Sequence, residues 1–251
     1  MNFNLVFKCL PLGDLLFIIS HLLLETPIII NSENQALLGA TILTLLALMK
    51  PFKWPHPVIF SLPSEKSGLV DSPTISLIGL NFPKSFVEEL FKKQSPREDA
   101  ILIDLDLNEY TYEPSRLSSY KKLKIKERTE MQFVQGEYMK YFCADEPQHA
   151  RRLVNHERKK RSILECSSTY ETDEKSTKVA QKIIRHLNAF LEQVLVNNLP
   201  EKKLALGPDG RINMKVIESH ILGEKNQSQK QFLESMLKTQ LYEMFLESFY
   251  K

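Results

Sequence analysis

Cysteine is scarce in this chain: three in 251 residues, Cys9, Cys143 and Cys166. An odd number at wide spacing does not build a closed disulfide framework and suits a reduced compartment. Long apolar runs are missing too. Residues 15–24 are ten residues with His21 inside them and Asp14 and Glu25 at their edges, and residues 34–49 are sixteen without a charge. A bilayer span needs roughly 20 apolar residues, so both read as buried helices of a soluble protein. No small-residue cleavage site follows Leu24, which argues against a signal peptide. The patterns GxSxG, GxGxxG and the P-loop are absent. That removes the usual serine-hydrolase, dinucleotide and nucleoside-triphosphate sites.

What is present is a chain of two characters. Its composition, 43% apolar and 25% charged, is that of a globular protein rather than a disordered one. A formal net charge of +2 names no partner, but the distribution is uneven. The first eighty residues carry four basic and five acidic side chains, and almost all remaining charge lies downstream.

In the apolar half, Pro11 and Asp14 favour a first helical turn, and Pro27 stops that helix before the β-branched run of residues 28–30. Ser32 and Gln35 have capping-box spacing, which predicts a helix through Met49 that is apolar on every side. Pro51 ends it. Residues 58–62 form the next predicted strand and a polar loop runs to Ser72. Residues 74–78 are a further strand, Pro83 opens an amphipathic helix, and residues 101–105 are a strand ending in acidic residues. Repeated strand–helix–strand units predict an α/β fold: a parallel-type sheet flanked by helices. Residues 109–175 read as a charged insert or linker. Helical periodicity returns at 178–196, GPDG at 207–210 marks a turn, and one closing helix is expected over 229–249. The organisation is therefore an α/β segment at 1–108, the charged insert, and an all-helical segment at 176–251.

Candidate chemistry is thin. Asp104, Asp106 and Asn108 alternate as in a calcium loop, but Glu109 and Ser115 stand where glycine and glutamate are needed, so a polar turn is the plain reading. Cys143, His149, His156 and Cys166 have gaps that fit no zinc pattern. Ser20 and His21 are sequence neighbours on a helix and point apart, which leaves His21 as a satisfied core histidine. Basic runs at 121–128 and from Arg151 to Arg161 read first as solvated surface and second as a contact for an acidic membrane or protein. Nucleic acid is disfavoured, because no aromatic side chains interleave with them. No catalytic residue, metal or cofactor is expected.

Five stretches in order resemble the DENN domain. They are HLLLETPIIINSENQALL, ALMKPFKWPHPVIFSLP, LVDSPTISLIGL, AILIDLDLN and, near the end, QFLESMLKTQLYEMFLESF with its Thr239–Gln240 pair. The likeness spans about residues 5–108 and 180–250 and corresponds to the central and C-terminal DENN segments. It implies an exchange factor for Rab-type small GTPases, working in vesicle traffic from the cytoplasm or the periphery of intracellular membranes. Exchange of that kind grips the switch regions of the GTPase and needs no covalent chemistry. The stretch matched lacks the upstream longin-like lobe, so the chain is expected to be a fragment, to receive the lobe from a separate chain, or to have lost exchange and become a scaffold. Loops on a rigid α/β frame tend to carry contacts, which points to Lys53, Trp54, His56 and Asp71 as partner-binding candidates. The plainer alternatives are core packing for Trp54 and a turn or cap for Asp71.

Overall fold

A computed structural model describes residues 12–93, 100–106, 109–111, 174–208, 210–223 and 227–250, together with Phe3, Val6, Phe7 and Leu10. The elements in chain order are α1 (Leu12–Leu23), β1 (Ile28–Asn31), α2 (Gln35–Leu48), β2 (Val58–Leu62), a 3₁₀ helix (Ser64–Asp71) and β3 (Leu77–Leu80). Then follow α3 (Lys84–Lys93), β4 (Ile101–Asp104), β5 (Glu109–Thr111), α4 (Glu174–Leu195), α5 (Lys202–Ala205), α6 (Met214–Leu222), α7 (Gln227–Met236) and α8 (Gln240–Tyr250).

The five strands form one sheet in the order β2-β3-β1-β4-β5. Four are parallel, and β5 closes the far edge antiparallel to β4. The α/β class with a helical C-terminal segment is therefore as expected. Parallel strands covered on both sides must be apolar on both sides, and they are. Ile28, Ile30, Leu77, Ile101 and Ile103 face the larger core, which holds α1, α2 and the C-terminal helices. Ile29, Ile78 and Leu80 face a smaller core under α3 and the 3₁₀ helix, with Val70, Val87 and Leu90. The larger core runs without a break from Val6 to Tyr250, so the α/β and helical segments bury a common interior.

Several boundaries differ from the sequence expectation. The cap of α2 is Asn34, not Ser32: Asn34 Oδ1 accepts from the backbone N–H of Ala36 and Leu37. Ser32 Oγ instead donates to Asp106 and accepts from Asn34 N–H. The polar loop before Ser72 is a 3₁₀ helix, and the strand expected at 74–78 is Leu77–Leu80, because Ser72 and Thr74 bond to each other in a local turn. The single closing helix expected over 229–249 is two. Leu237 and Lys238 separate α7 from α8, and Thr239 caps the second with its Oγ1 accepting from Tyr242 N–H at 3.3 Å. The helix expected after Pro83 is amphipathic but leaves Phe86 36% exposed, with its ring against that of Phe82.

The helical segment is tied down by two buried tyrosines. Tyr242 donates to the carbonyl of Leu195 at 3.1 Å, and Tyr250 to that of Pro200 at 2.9 Å. Burial pushes the Tyr242 phenol well above the ordinary tyrosine value, with Tyr250 adding to it, and burial also raises Tyr250. A raised folded-state pKa means that the fold holds its proton more tightly than the unfolded chain. That stability is complete below the unfolded value of 10.0 and is lost as pH rises beyond it. Urea midpoints should therefore fall between about pH 9 and about pH 11. The fall should be smaller in Tyr242→Phe, which at neutral pH costs only about 1 kcal/mol for the hydrogen bond removed.

Candidate functional site

Open α/β sheets bind ligands at the carboxyl ends of strands whose outgoing connections leave on opposite faces. Here those strands are β1, which exits to α2 beside the larger core, and β3, which exits to α3 beside the smaller one. The chain itself bridges that crevice. Asn81 Nδ2 donates to the Ser32 carbonyl at 2.7 Å, and Phe82 N–H donates to Asn31 Oδ1 at 3.3 Å. Beside it, Asp106 accepts from Ser32 Oγ and from Glu33 N–H, both at 2.7 Å, and Asp104 Oδ1 accepts from Asp106 N–H. The acidic residues that alternate after β4 are thus tied into the turn. Asn108 lies outside the described residues, as do Cys143, His149, His156, Cys166 and both basic runs. Among the described residues no group of three or more potential metal ligands occurs. His21 is buried, with Nδ1 at 3.2 Å from Thr26 Oγ1 and its ring on Phe17, while Ser20 donates to the Leu16 carbonyl. The two make no nucleophile–base pair.

The corner PFKWPH, residues 51–56, is where the two halves of the chain meet. The helix α2 ends at Leu48 and the Lys50–Pro51 peptide is cis. Pro51 sits in the turn that closes α2, with Phe52 N–H on the Met49 carbonyl, and Pro55 and Pro57 favour extended backbone until β2 enters the sheet. Phe52 is 2% exposed and packs on α8, with ring centroids 4.8 Å from Phe245 and 6.0 Å from Tyr242. Trp54 is half-buried and packs against the edge of the same core, while Phe52 is the aromatic that enters it. Sequence reasoning missed Phe52 because nothing local separates the two aromatics.

His56 turns back towards the end of α1. Its Nε2 lies 2.8 Å from Glu25 Oε1, and its ring meets Trp54 edge-on at 5.1 Å. Glu25 is a residue that sequence reasoning did not single out. Its backbone is left-handed, φ +57°, and it ends α1 in a Schellman arrangement, with Glu25 N–H on the Leu22 carbonyl and Thr26 N–H on that of His21. Glycine is usual at that position; here the side chain has a task. The Glu25 carboxylate accepts from Gln240 N–H at 3.1 Å and Leu241 N–H at 2.7 Å, the first two backbone donors of α8. An anion at a helix N-terminus is favoured by both those donors and the helix dipole. A glutamate just before Thr-Pro was the one available signal, and it is weak.

Beside the corner is a cavity of about 630 Å³. Leu46 of α2, Phe52 and Val58 make its apolar surface, with Lys50, Pro51, Lys53 and Trp54 along one side and Asn188 and Glu192 of α4 on the other. Asn188 Nδ2 reaches the Ala47 carbonyl at 3.4 Å and so joins α4 to the end of α2. Two polar atoms in these walls, Trp54 Nε1 and Asn188 Oδ1, are buried without a hydrogen-bond partner. Such atoms cost about 1–3 kcal/mol each. Of the four sequence candidates, Lys53 and Trp54 line this cavity and His56 adjoins it through Trp54. Asp71 does not; it is exposed at the end of the 3₁₀ helix.

The architecture is a doubly covered, mostly parallel sheet whose larger face is roofed by helices from the chain's far end, with a proline-aromatic corner at the seam. Residues 1–108 match the model of the DENN (AEX-3) domain. That region is 32% identical over 108 residues to DENN domain-containing protein 2B of Mus musculus, covering 42% of this chain and 9% of the relative. It is 33% identical over 108 residues to the MAP kinase-activating death domain protein of Caenorhabditis elegans, covering 42% and 8%. For DENN domain-containing protein 2D of Mus musculus the identity is 30% over 105 residues, covering 42% and 22%. The similarity to the DENN domain thus lies in residues 1–108, the α/β segment that holds four of the five resembling stretches. The chain aligns with only a small part of the length of these relatives.

Proposed function

We propose that the chain is a DENN-type module that holds a Rab-family small GTPase, as all or part of a guanine-nucleotide exchange factor in vesicle traffic. The observation that carries this reading is the DENN match over the whole α/β segment. It is supported by the way that segment buries a common core with the C-terminal helices. Among the described residues no acid, base and nucleophile stand together, and none is needed. A protein that stabilises the nucleotide-free GTPase over the nucleotide-bound one accelerates release by differential binding alone. Lys53 and Asp71 are the exposed members of the four candidate contacts. Both precede strands, β2 and β3, that start at the same end of the sheet, with Val58 paired to Leu77. Trp54 and His56 serve by fixing the corner that carries Lys53.

Adding the full chain to a panel of Rab proteins loaded with labelled GDP should speed release from at least one of them. Reversing the exposed charges, in Lys53→Glu and Asp71→Lys, should weaken that effect without unfolding the protein. Stable Rab binding in a pull-down with unchanged GDP release would instead identify a scaffold that kept the DENN segment. The basic run from Arg151 to Arg161 is proposed as a contact for an acidic membrane surface; co-sedimentation with anionic vesicles that does not weaken with salt would reject an electrostatic origin.

A further inference from the structure

We infer that the cavity between α2, the corner at 51–58 and α4 is a docking site for a short peptide segment of a protein partner, one that offers an apolar anchor next to an acidic residue. The inference stands apart from the GTPase reading, since its readout is binding to this chain alone.

The volume, about 630 Å³, is that of sites which take a few side chains. The walls divide by chemistry. Leu46, Phe52 and Val58 are apolar and match an aliphatic or aromatic anchor. Lys50 and Lys53, both exposed, make no ion pair among the described residues and stand on the same wall three residues apart. Two unpaired cations beside an apolar floor select an anionic neighbour to the anchor. Glu192 on the opposite wall is likewise exposed and free of an ion pair among the described residues, and it disfavours a second acid on that side.

The buried atoms choose the class of occupant. Trp54 Nε1 lacks an acceptor and Asn188 Oδ1 lacks a donor. A peptide group supplies both, a C=O and an N–H; a lipid tail supplies neither. The two atoms are closed to water as they stand, so pairing with an occupant would require both the Trp54 ring and the Asn188 amide to turn, and the cost of leaving them unpaired favours that turn. Trp54 is the only tryptophan in the chain, which makes its emission a reporter of this site and of no other.

The test titrates the full chain with the blocked tetrapeptide acetyl-EFLD-amide and follows Trp54 emission. Controls are acetyl-KFLK-amide, acetyl-EGSD-amide and decanoate. A saturable emission change with the first probe, absent or at least about tenfold weaker with the two peptide controls, is the expected result. The double variant Lys50→Glu, Lys53→Glu should weaken the first probe by about tenfold, as two rim charges are reversed. Because both lysines are exposed, its circular dichroism and urea midpoint should be unchanged. The proposal is overturned by no response up to millimolar acetyl-EFLD-amide, by equal responses to the peptide controls, or by an unaltered affinity in the double variant. Decanoate binding as tightly as the peptide would also overturn it, in favour of a site for anionic amphiphiles.

Discussion

Gly79→Ala should be among the most damaging single changes in this chain, lowering unfolding stability by about 3 kcal/mol or more. Gly79 is the third residue of β3, and its missing side chain would point towards α2. A methyl group there would overlap the Phe60 carbonyl oxygen, lie 2.9 Å from the Phe60 carbonyl carbon and 3.0 Å from Ile42 Cδ1. Two of those three atoms are backbone, so no rotamer change clears the way. The close approach arises because the pairing of β2 with β3 is irregular between Ile59 and Leu62, which brings the Phe60 peptide over β3. The control is Gly39→Ala in α2, where an added methyl meets nothing within 4 Å. Removing a helical glycine there should stabilise by about 0.5–1 kcal/mol. The same chemical change is thus expected to have opposite signs at two sites. Urea denaturation of both variants checks this, and Ile42→Val should not rescue Gly79→Ala, since the backbone overlap persists.

The second large effect is expected at Glu25. Glu25→Ala removes an acceptor for two backbone donors of α8 and the partner of His56, in a pair whose side chains are only 9% and 12% exposed. Loss of a helix cap costs about 1 kcal/mol, and leaving the neighbouring groups unpaired in a mostly buried setting adds to it, for about 2–4 kcal/mol in all. Backbone strain separates this variant from Glu25→Gly. At φ +57° glycine is at ease and alanine is not, so the glycine variant should be the more stable of the two by about 1 kcal/mol. Both should loosen α8 before the sheet, seen as faster proteolysis near Thr239 and faster amide exchange at Gln240 and Leu241. Under the proposed exchange function, a seam that supports GTPase binding would make the acceleration of GDP release fall with the same rank order, Ala below Gly below wild type.

Glu25 also shows why local rules fail where they do. The end of α1 calls for glycine in the left-handed position, and a sequence that breaks such a rule commonly does so at a position with another task. Here the task is set by Leu241, 216 residues along the chain. No window around residue 25 contains that information. The split between α7 and α8 has the same origin. Periodicity runs through Leu237 unbroken, but Thr239 Oγ1 donates to the Met236 carbonyl and caps Tyr242, and Glu25 holds the new N-terminus. Helix propensity is weak per residue, and a tertiary cap outweighs it.

Short-range physics did determine a good deal by itself. Proline positions, β-branched runs and all-round leucine content were enough to locate α1, α2, β1, β2 and β4 to within a few residues, and with them the parallel α/β class. The four motifs within residues 1–108 were enough to point to the DENN domain that this stretch matches. These features depend on neighbours three or four residues away, which a sequence displays directly. Which aromatic of the 51–56 corner enters the core, which residue caps α2, where β3 starts and what Glu25 is for were decided only by the tertiary structure. Phe52 goes inward because α8 offers Tyr242 and Phe245, Ser32 is drawn off its helix because Asp106 lies beside β1, and Gly79 is required because β2 bulges over it. Each outcome follows from contact between segments remote in sequence, where steric fit and hydrogen-bond satisfaction outweigh local preference.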